Sequence, residues 1–402
     1  MSTIIANENK IYVFGVNDYF QLGLDHNKSI YDPQLLMSGQ NIRQILSSET
    51  YSVILENNNL HFFGELFNGN PAIDKLIFPT AGAKIRLVAA GYDHILVLMT
   101  NDDVFGYGWN SYGQMSLHSS EKHSGVTPIL IPKLLMSGEK ISKIVCGHAT
   151  TFIVKKNTDI MVVGSNDCGQ LGLGHDNKID TPQLLMTGQK IRQIVCGFYH
   201  TIILKADGTV LSFGNNRFGQ LGLGHNENQY APQLVSSLSN VSQIASGDDH
   251  VLVLKENNDV LVFGRNDYGQ LGLGYACNQP QPSPKLLMSG DERIYQISCG
   301  EKHSLILKEN GDVLLFGYHG SSSSFQYIST PKLLPIKATQ LMNTVLVPLN
   351  KWKPSKHHLF SPTFRQRIVT FLLIHKLYHN RNTMIYLPKF VRFEIIKLCV
   401  WT

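Results

Sequence analysis

At one repeated position of this chain a histidine stands three residues after a glycine: His94, His200, His250 and His303, following Gly91, Gly197, Gly247 and Gly300. Histidine at a fixed spacing suggests metal ligation, proton transfer or a repeated structural hydrogen bond. Each copy of the pattern supplies one histidine only, and copies related by a ring symmetry spread their side chains apart, whereas a metal site needs its ligands to converge. No metal is predicted, and a hydrogen bond holding a strand's entry is the favoured role. The residues between glycine and histidine vary: Asp93, Tyr199, Asp248 with Asp249, and Glu301 with Lys302. Variation at a fixed loop position is where a repeat fold builds a binding face. The candidate partner-contact residues are therefore Asp93, His94, Tyr199, His200, Asp248, Asp249, His250, Glu301 and His303. The plain alternative is a set of solvated loops. Two copies depart from the pattern, with Thr50 (after Glu49) and Thr150 (after His148 and Ala149) at the histidine position, so the acidic set is incomplete.

A second candidate is the segment Gly219-Gln220-Leu221-Gly222-Leu223-Gly224 and its copies, which at first sight is a phosphate-cradling loop. It lacks the Lys-Ser/Thr and the helix N-terminus that give such loops their anion-binding dipole, so no nucleotide or other cofactor is predicted. The glycines serve tight turns. No Gly-x-Ser-x-Gly, no His-Glu-x-x-His and no paired catalytic carboxylates occur, and the chain is read as non-enzymatic.

The elements that must position these residues follow from self-similarity. The segment Phe-Gly-x-Asn-x-x-Gly-Gln-Leu-Gly-Leu recurs most clearly at Gly164, Gly214 and Gly264, and more weakly at Gly15, Gly64 and Gly108. The last copy, at Gly317, keeps the strand and replaces the turn with Ser321 to Ser324. A period of about 50 residues suits a four-stranded blade, so seven copies mean seven blades. Within a copy the apolar run Ile202 to Leu204, the turn Asp207-Gly208 and the return Val210 to Phe213 read as a β-hairpin. The hairpin recurs at Asn310-Gly311, and at Asn257-Asn258 and Asn57-Asn58, where Asn tolerates a positive φ. Closure is expected by pairing Ile11 to Phe14 with Leu341 to Leu349, which would remove the open sheet edges.

The segments Phe213-Gly214-Asn215-Asn216-Arg217-Phe218-Gly219-Gln220-Leu221-Gly222-Leu223-Gly224 and Cys196-Gly197-Phe198-Tyr199-His200 resemble the repeat of the regulator of chromosome condensation family, over about residues 10 to 350. The resemblance implies a seven-bladed β-propeller, in agreement with the repeat count. It also implies that the loops before the histidines line a face that engages a small Ran-like GTPase and promotes guanine nucleotide release. The low divergence among copies and the abundant Asn, Ile and Lys are similar to such proteins of amoebae and their large DNA viruses. The founder's basic N-terminal extension has no counterpart, because Met1 to Asn9 holds no Lys or Arg. Of the three tryptophans, Trp352 and Trp401 lie in the tail and Trp109 in the repeats, unlike the Trp-clustered ultraviolet photoreceptors of the family.

Net charge is +5, from 35 Lys+Arg and 30 Asp+Glu. Residues 351 to 402 hold ten Lys/Arg against the single acid Glu394, so the body up to residue 350 is slightly acidic. Nucleic acid is not expected to bind through the propeller. The tail pattern has period three and four: Phe364, Ile368, Phe371, Leu372 and His375, then Phe390, Phe393, Ile396 and Val400 behind Leu387-Pro388. This reads as a basic helical hairpin with three roles open. It caps the propeller, it recruits a ubiquitin-ligase subunit through an F-box-like or SOCS-box-like segment at Leu387, Pro388 and Ile396, or it contacts acidic surfaces. The six cysteines form no CxxC pair, and Cys146, Cys196 and Cys299 share one repeat position as small core residues. With no signal peptide and no apolar run of membrane-spanning length, the chain reads as intracellular, cytoplasmic or nuclear, in a host cell if viral. The sequence thus predicts an all-β, seven-bladed propeller over 10–350 with a small α-helical C-terminal segment over 351–402. It predicts a monomer that acts as a protein-interaction module, with nucleotide exchange on a Ran-like GTPase and ubiquitin-ligase substrate adaptation as alternatives.

Overall fold

The computed structural model describes residues 2–7, 10–38, 42–67, 70–71, 82–116, 128–318, 327–337 and 340–341. They form seven four-stranded antiparallel sheets, each with its strands in meander order, and this is the seven-bladed propeller expected from the repeat count. The expected tail helices, with Leu387, Pro388 and Ile396, lie outside the described residues. No helix among the described residues is long and apolar enough to cross a membrane.

One blade serves for the rest: Ile191–Cys196, His200–Lys205, Val210–Gly214 and Gln229–Leu234. The first strands of successive blades lie against each other and so form the inner wall of the ring. Connections from first to second and from third to fourth strand emerge on one face, here called the loop face. The second-to-third turns emerge on the other, the hairpin face. In that turn Gly208 has φ 86° and its N–H donates to the Lys205 carbonyl, while Asn57, Asn258 and Gly311 take positive φ in the equivalent turns. The outermost strands carry Pro33, Pro132, Pro182, Pro232 and Pro331, which remove donors from edges that would otherwise invite pairing.

Apolar burial is distributed between blades. Val195, Ile202 and Leu204 of one blade pack with Val241, Ile244 and Phe263 of the next, and Phe14 packs with Leu305 and Leu307. The second glycine of each Gly-Gln-Leu-Gly turn seats the following blade's aromatic ring. A Cβ built on Gly172 would fall 2.9 Å from Phe213, and one on Gly272 would fall 2.8 Å from Phe316. The glycine-rich motif is thus a joint between blades, as its reading as a turn requires.

Polar ties also join the inner wall. Gln193 lies in Ile191–Cys196 and treats the next blade's backbone as a strand would: its Nε2 donates to the Ile244 carbonyl at 2.7 Å and its Oε1 accepts from the Ile244 N–H at 3.1 Å. Gln44 pairs in the same way with Val88, and Gln243 accepts from the Ile297 N–H. Replacement of Gln193 by alanine strands both backbone groups of Ile244. It is expected to lower unfolding stability by about 2 kcal/mol, read as a shift in the urea midpoint with unchanged slope.

Ring closure departs from expectation. Ile11 to Phe14 do not meet the C-terminal strand; Ser2–Asn7 intervenes, pairing Ser2 with Gly15 and Asn7 with Lys10. Gln340–Leu341 then pairs on the other side of Ser2–Asn7, through Ile5 and Ala6. The propeller therefore begins at residue 2 instead of residue 10. The physical reason is burial: Ile4 and Ala6 are buried in the interface with Ile45 and Ile54 of the next blade.

Candidate functional site

The loop face is set by the short connection between the first and second strand of each of the six blades built from consecutive strands. Its first variable residue is Glu49, Tyr92, His148, Phe198, Asp248 and Glu301, in order around the ring. Backbone hydrogen bonds link these loops, with Tyr92 N donating to the His148 carbonyl, Phe198 N to Asp248 and Asp248 N to Glu301, all at 3.0–3.1 Å. The mouth is thus a hydrogen-bonded rim whose side chains change character around the circle.

On one side the rim is aromatic. The Tyr92 and His148 rings are 4.4 Å apart, His148 and Phe198 are 3.8 Å apart, and Tyr199 stands edge-on to Phe198 at 4.4 Å. Burial holds His148 below the ordinary imidazole range, at about 4, so at neutral pH it is an uncharged ring in this stack. On the other side the rim is acidic. Burial, with help from Glu301 and Asp249, pushes Asp248 well above the usual carboxylate range, and burial and Glu49 do the same to Glu301. Lys302 opposes both shifts.

Outside the rim, Asp249 accepts from Gln220 Nε2 at 3.2 Å and pairs with Arg265 at 3.3 Å. The Arg265 guanidinium also lies over the Phe218 ring, 4.6 Å from its centre. Burial raises Asp249 even so. Asp93 accepts a long 3.4 Å bond from Gln114, and burial raises its carboxyl to about 6. Tyr199 is 38% exposed. Asp93, Tyr199, Asp248, Asp249 and Glu301 thus all reach the loop face.

The four histidines do not, and as contact residues they are corrected. His94, His200, His250 and His303 are at most 2% exposed. Each ring lies over the glycine that opens its loop, or beside it, and reaches a hydroxyl of the next blade: His200 to Ser246 and His250 to Ser304 at 2.9 Å, His303 to Thr3 at 3.2 Å, and His94 to Thr151 at 3.4 Å. They are inter-blade ties, the structural role that repetition at one site suggested. The structure also moves one equivalence. Tyr51, not Thr50, occupies the histidine position, since Tyr51 pairs with Gly64 as His200 pairs with Gly214. Its hydroxyl donates to the Gly91 carbonyl at 2.7 Å, so a tyrosine makes the tie there.

Cys299 is buried and Cys146 and Cys196 are half-buried, all as free thiols. Burial pushes Cys196 and Cys299 up to about 12, which removes them as nucleophiles at neutral pH. No group of three or more His, Cys, Asp or Glu able to hold a metal ion occurs among the described residues.

Sequence reasoning missed Tyr92, His148 and Phe198 as one aromatic run and the glutamine ties across the inner wall. The signal was present, because these residues share the loop register of Asp248 and Glu301. It also left the choice of face open. Of the eight exposed aromatic side chains among the described residues, all but Tyr295 fall at the loop-face end, including Tyr19, Phe20, Tyr112 and Tyr327. The hairpin-face turns are mostly Asn, Asp, Gly and Thr, with Lys156, Ala206, Glu256 and Glu309 among them.

A family model described as RCC1-like domain matches residues 70–344, and one described as regulator of chromosome condensation (RCC1) repeat matches residues 8–55. The ultraviolet-B receptor UVR8 of Arabidopsis thaliana is 29% identical over 178 residues, 41% of this chain and 39% of that protein. The human probable E3 ubiquitin-protein ligase HERC4 is 32% identical over 186 residues, 43% of this chain and 17% of that protein. The chain thus matches well under half the length of either relative. Among solved structures, human WBSCR16 superposes with a TM-score of 0.71 at 19% identity, covering 82% of this chain and 95% of that one. Prp20p from Saccharomyces cerevisiae, in a structure whose description names its binding properties to Gsp1p and histones, gives 0.55 at 21% identity, covering 83% and 76%. Both likenesses concern the fold.

Proposed function

We propose, because this chain belongs to the RCC1-like domain family, that it is a non-enzymatic protein-interaction module that takes its partner on the loop face. One observation carries this reading: the exposed aromatic side chains gather at that end of the ring, around a rim that is aromatic at Tyr92, His148 and Phe198 and acidic at Asp248, Glu301 and Glu49. Aromatic residues are what partner surfaces are enriched in, and a half-buried carboxylate pair kept apart from solvent favours an approaching cation. The hairpin face, with its short polar turns, has exposed carboxylates but among the described residues only Tyr295 as an exposed aromatic side chain.

The test uses the full chain as bait in lysate of cells that express it, beside Tyr199→Ala combined with Glu301→Lys, and beside the hairpin-face variant Asp207→Lys. A partner lost at least tenfold from the first variant and retained by the second is the expected result. Retention by the first variant, or loss from the hairpin-face variant alone, sinks the assignment of the face.

The acidic sector also favours a second reading, nucleotide exchange on a Ran-like GTPase, since Asp93, Asp248 and Glu301 are the residues through which the family resemblance would place that contact. Release of a fluorescent guanine nucleotide from such a GTPase should then accelerate with the full chain and fall back on Asp248→Lys with Glu301→Lys. An unchanged rate in that variant would rule this mapping out.

A further inference from the structure

His200 and His250 lie directly behind the loop residues Phe198-Tyr199 and Asp248-Asp249, and their hydrogen bonds favour protonation of one nitrogen over the other. Ser246 donates its hydroxyl hydrogen to the Gly247 carbonyl at 3.0 Å, and Ser304 donates to the Gln270 carbonyl at 2.8 Å. A hydroxyl has one hydrogen, so each oxygen accepts from the imidazole Nε2 standing 2.9 Å away. Both rings are therefore neutral and protonated on Nε2. Nδ1 of each is buried without a hydrogen-bond partner, against Gly197 or Gly247.

The surroundings offer a second proton no charged partner, although a backbone hydrogen bond with His303 favours the charged form of His250. The space beside the His200 ring holds the Gly197 backbone, the Gly247 carbonyl and Ser246; beside His250 are the Gly247 backbone, the Gly300 carbonyl, Ser304, the His200 ring and the His303 backbone. Among the described residues no carboxylate pairs with either ring. His94 differs, because its Nδ1 stands 3.9 Å from the Asp93 carboxylate.

We propose that His200 and His250 are acid-released latches of the loop face: singly protonated, each ring ties its loop to the following blade, and a second proton, finding no acceptor at Nδ1, drives the ring out and frees the loop. The geometry stands whether or not that face binds a protein. Burial holds both rings at about 3. An opened ring takes up its proton near the ordinary value of about 6.5. The latch is thus fully favoured above that pH and is lost as pH falls toward 3, by about tenfold per pH unit for each histidine. The raised Asp248 and Glu301 act in the opposite sense, gaining stability on acidification, so pH dependence must be read on the loops themselves and against variants.

Two measurements on the full chain test this. Long-range ¹H–¹⁵N spectra of histidine-labelled protein should show both rings as the Nε2–H form with shifts constant from pH 7.5 to 5, assigned through His200→Gln and His250→Gln. If those variants fail to fold, contacts to Ser246 and Ser304 protons assign the rings instead. Over the same range, amide exchange of the Phe198-Tyr199 and Asp248-Asp249 segments, corrected for its intrinsic pH dependence, should accelerate at least tenfold. An Nδ1–H ring, a ring that titrates near pH 6 in the folded protein, or loop exchange that does not accelerate overturns the latch.

Discussion

Gly247→Ala is expected to cost more than about 3 kcal/mol of folding stability, or to prevent folding, although it adds one methyl group. Gly247 does not have a left-handed φ, so the penalty is steric and not conformational. An added Cβ would fall within 2.5 Å of both the His250 Nδ1 and the Gly300 carbonyl oxygen, and closer still to the ring carbon between the two nitrogens. The first neighbour is the inter-blade tie and the second is backbone of the next blade, and neither can yield without opening the junction. Gly197 and Gly91 meet the same pair of obstacles, a histidine ring and the following blade's carbonyl. Gly188 supplies the control: it has φ 71° and nothing within 4 Å of a built Cβ, so Gly188→Ala should cost only about 1 kcal/mol. Urea unfolding of the two variants separates the causes. Equal midpoints would mean that the histidine junction is softer than its geometry implies. A further check is Gly247→Ala in a His250→Ala background, where the added methyl should cost markedly less than it does alone. The natural sequence makes the same exchange once. In the loop where Tyr51 replaces histidine, Ser48 replaces the glycine, and its hydroxyl donates to the Tyr92 carbonyl at 3.1 Å.

Removal of residues 1 to 9 should abolish cooperative folding of a chain that keeps all seven repeat motifs. The deletion takes out Ser2–Asn7, which joins Lys10–Gly15 to Gln340–Leu341 and so closes the ring. It uncovers one long edge of the closing blade, empties the places of Ile4 and Ala6, and leaves His303 without the Thr3 hydroxyl. Open edges and an exposed apolar interface are the conditions for aggregation. Expected outcomes are a large loss of soluble monomer and a broad thermal transition lowered by more than about 10 °C, on the scale set by losing several kcal/mol from a domain of this size. A truncated chain that melts sharply within a few degrees of the full-length protein would show that the repeats close without this strand.

These two cases mark how far the sequence alone carries. The number of blades, the hairpins at Asp207-Gly208 and Asn310-Gly311, and the glycine-rich turns were legible because each is local. A strand, a turn and a return strand interact within about a dozen residues, and the pattern repeats often enough to be read by comparing copies. The histidines were recognisable as structural, yet they also entered the contact set, because a strip of sequence places His200 beside Tyr199 without saying that one turns inward and the other outward. Tyr51 was missed for a related reason: with Ser48 in place of the glycine and tyrosine in place of the histidine, the motif that marks the register is gone, and only pairing with Gly64 reveals it.

What the tertiary structure alone decided is everything that depends on bringing blades together. The aromatic run from Tyr92 through His148 to Phe198 spans three repeats, and the carboxyl groups of Asp248, Glu301 and Glu49 come together from blades far apart in the sequence. His303 reaches Thr3 over a separation of 300 residues. No periodicity encodes such a pair, since the two residues lie in opposite ends of the sequence and become neighbours only when the ring closes. The sequence therefore specified the blade, whose interactions are short-range, while the make-up of the loop-face rim, the burial of the histidines and the closing strand followed from closure, where contacts are made between repeats that the chain itself keeps far apart.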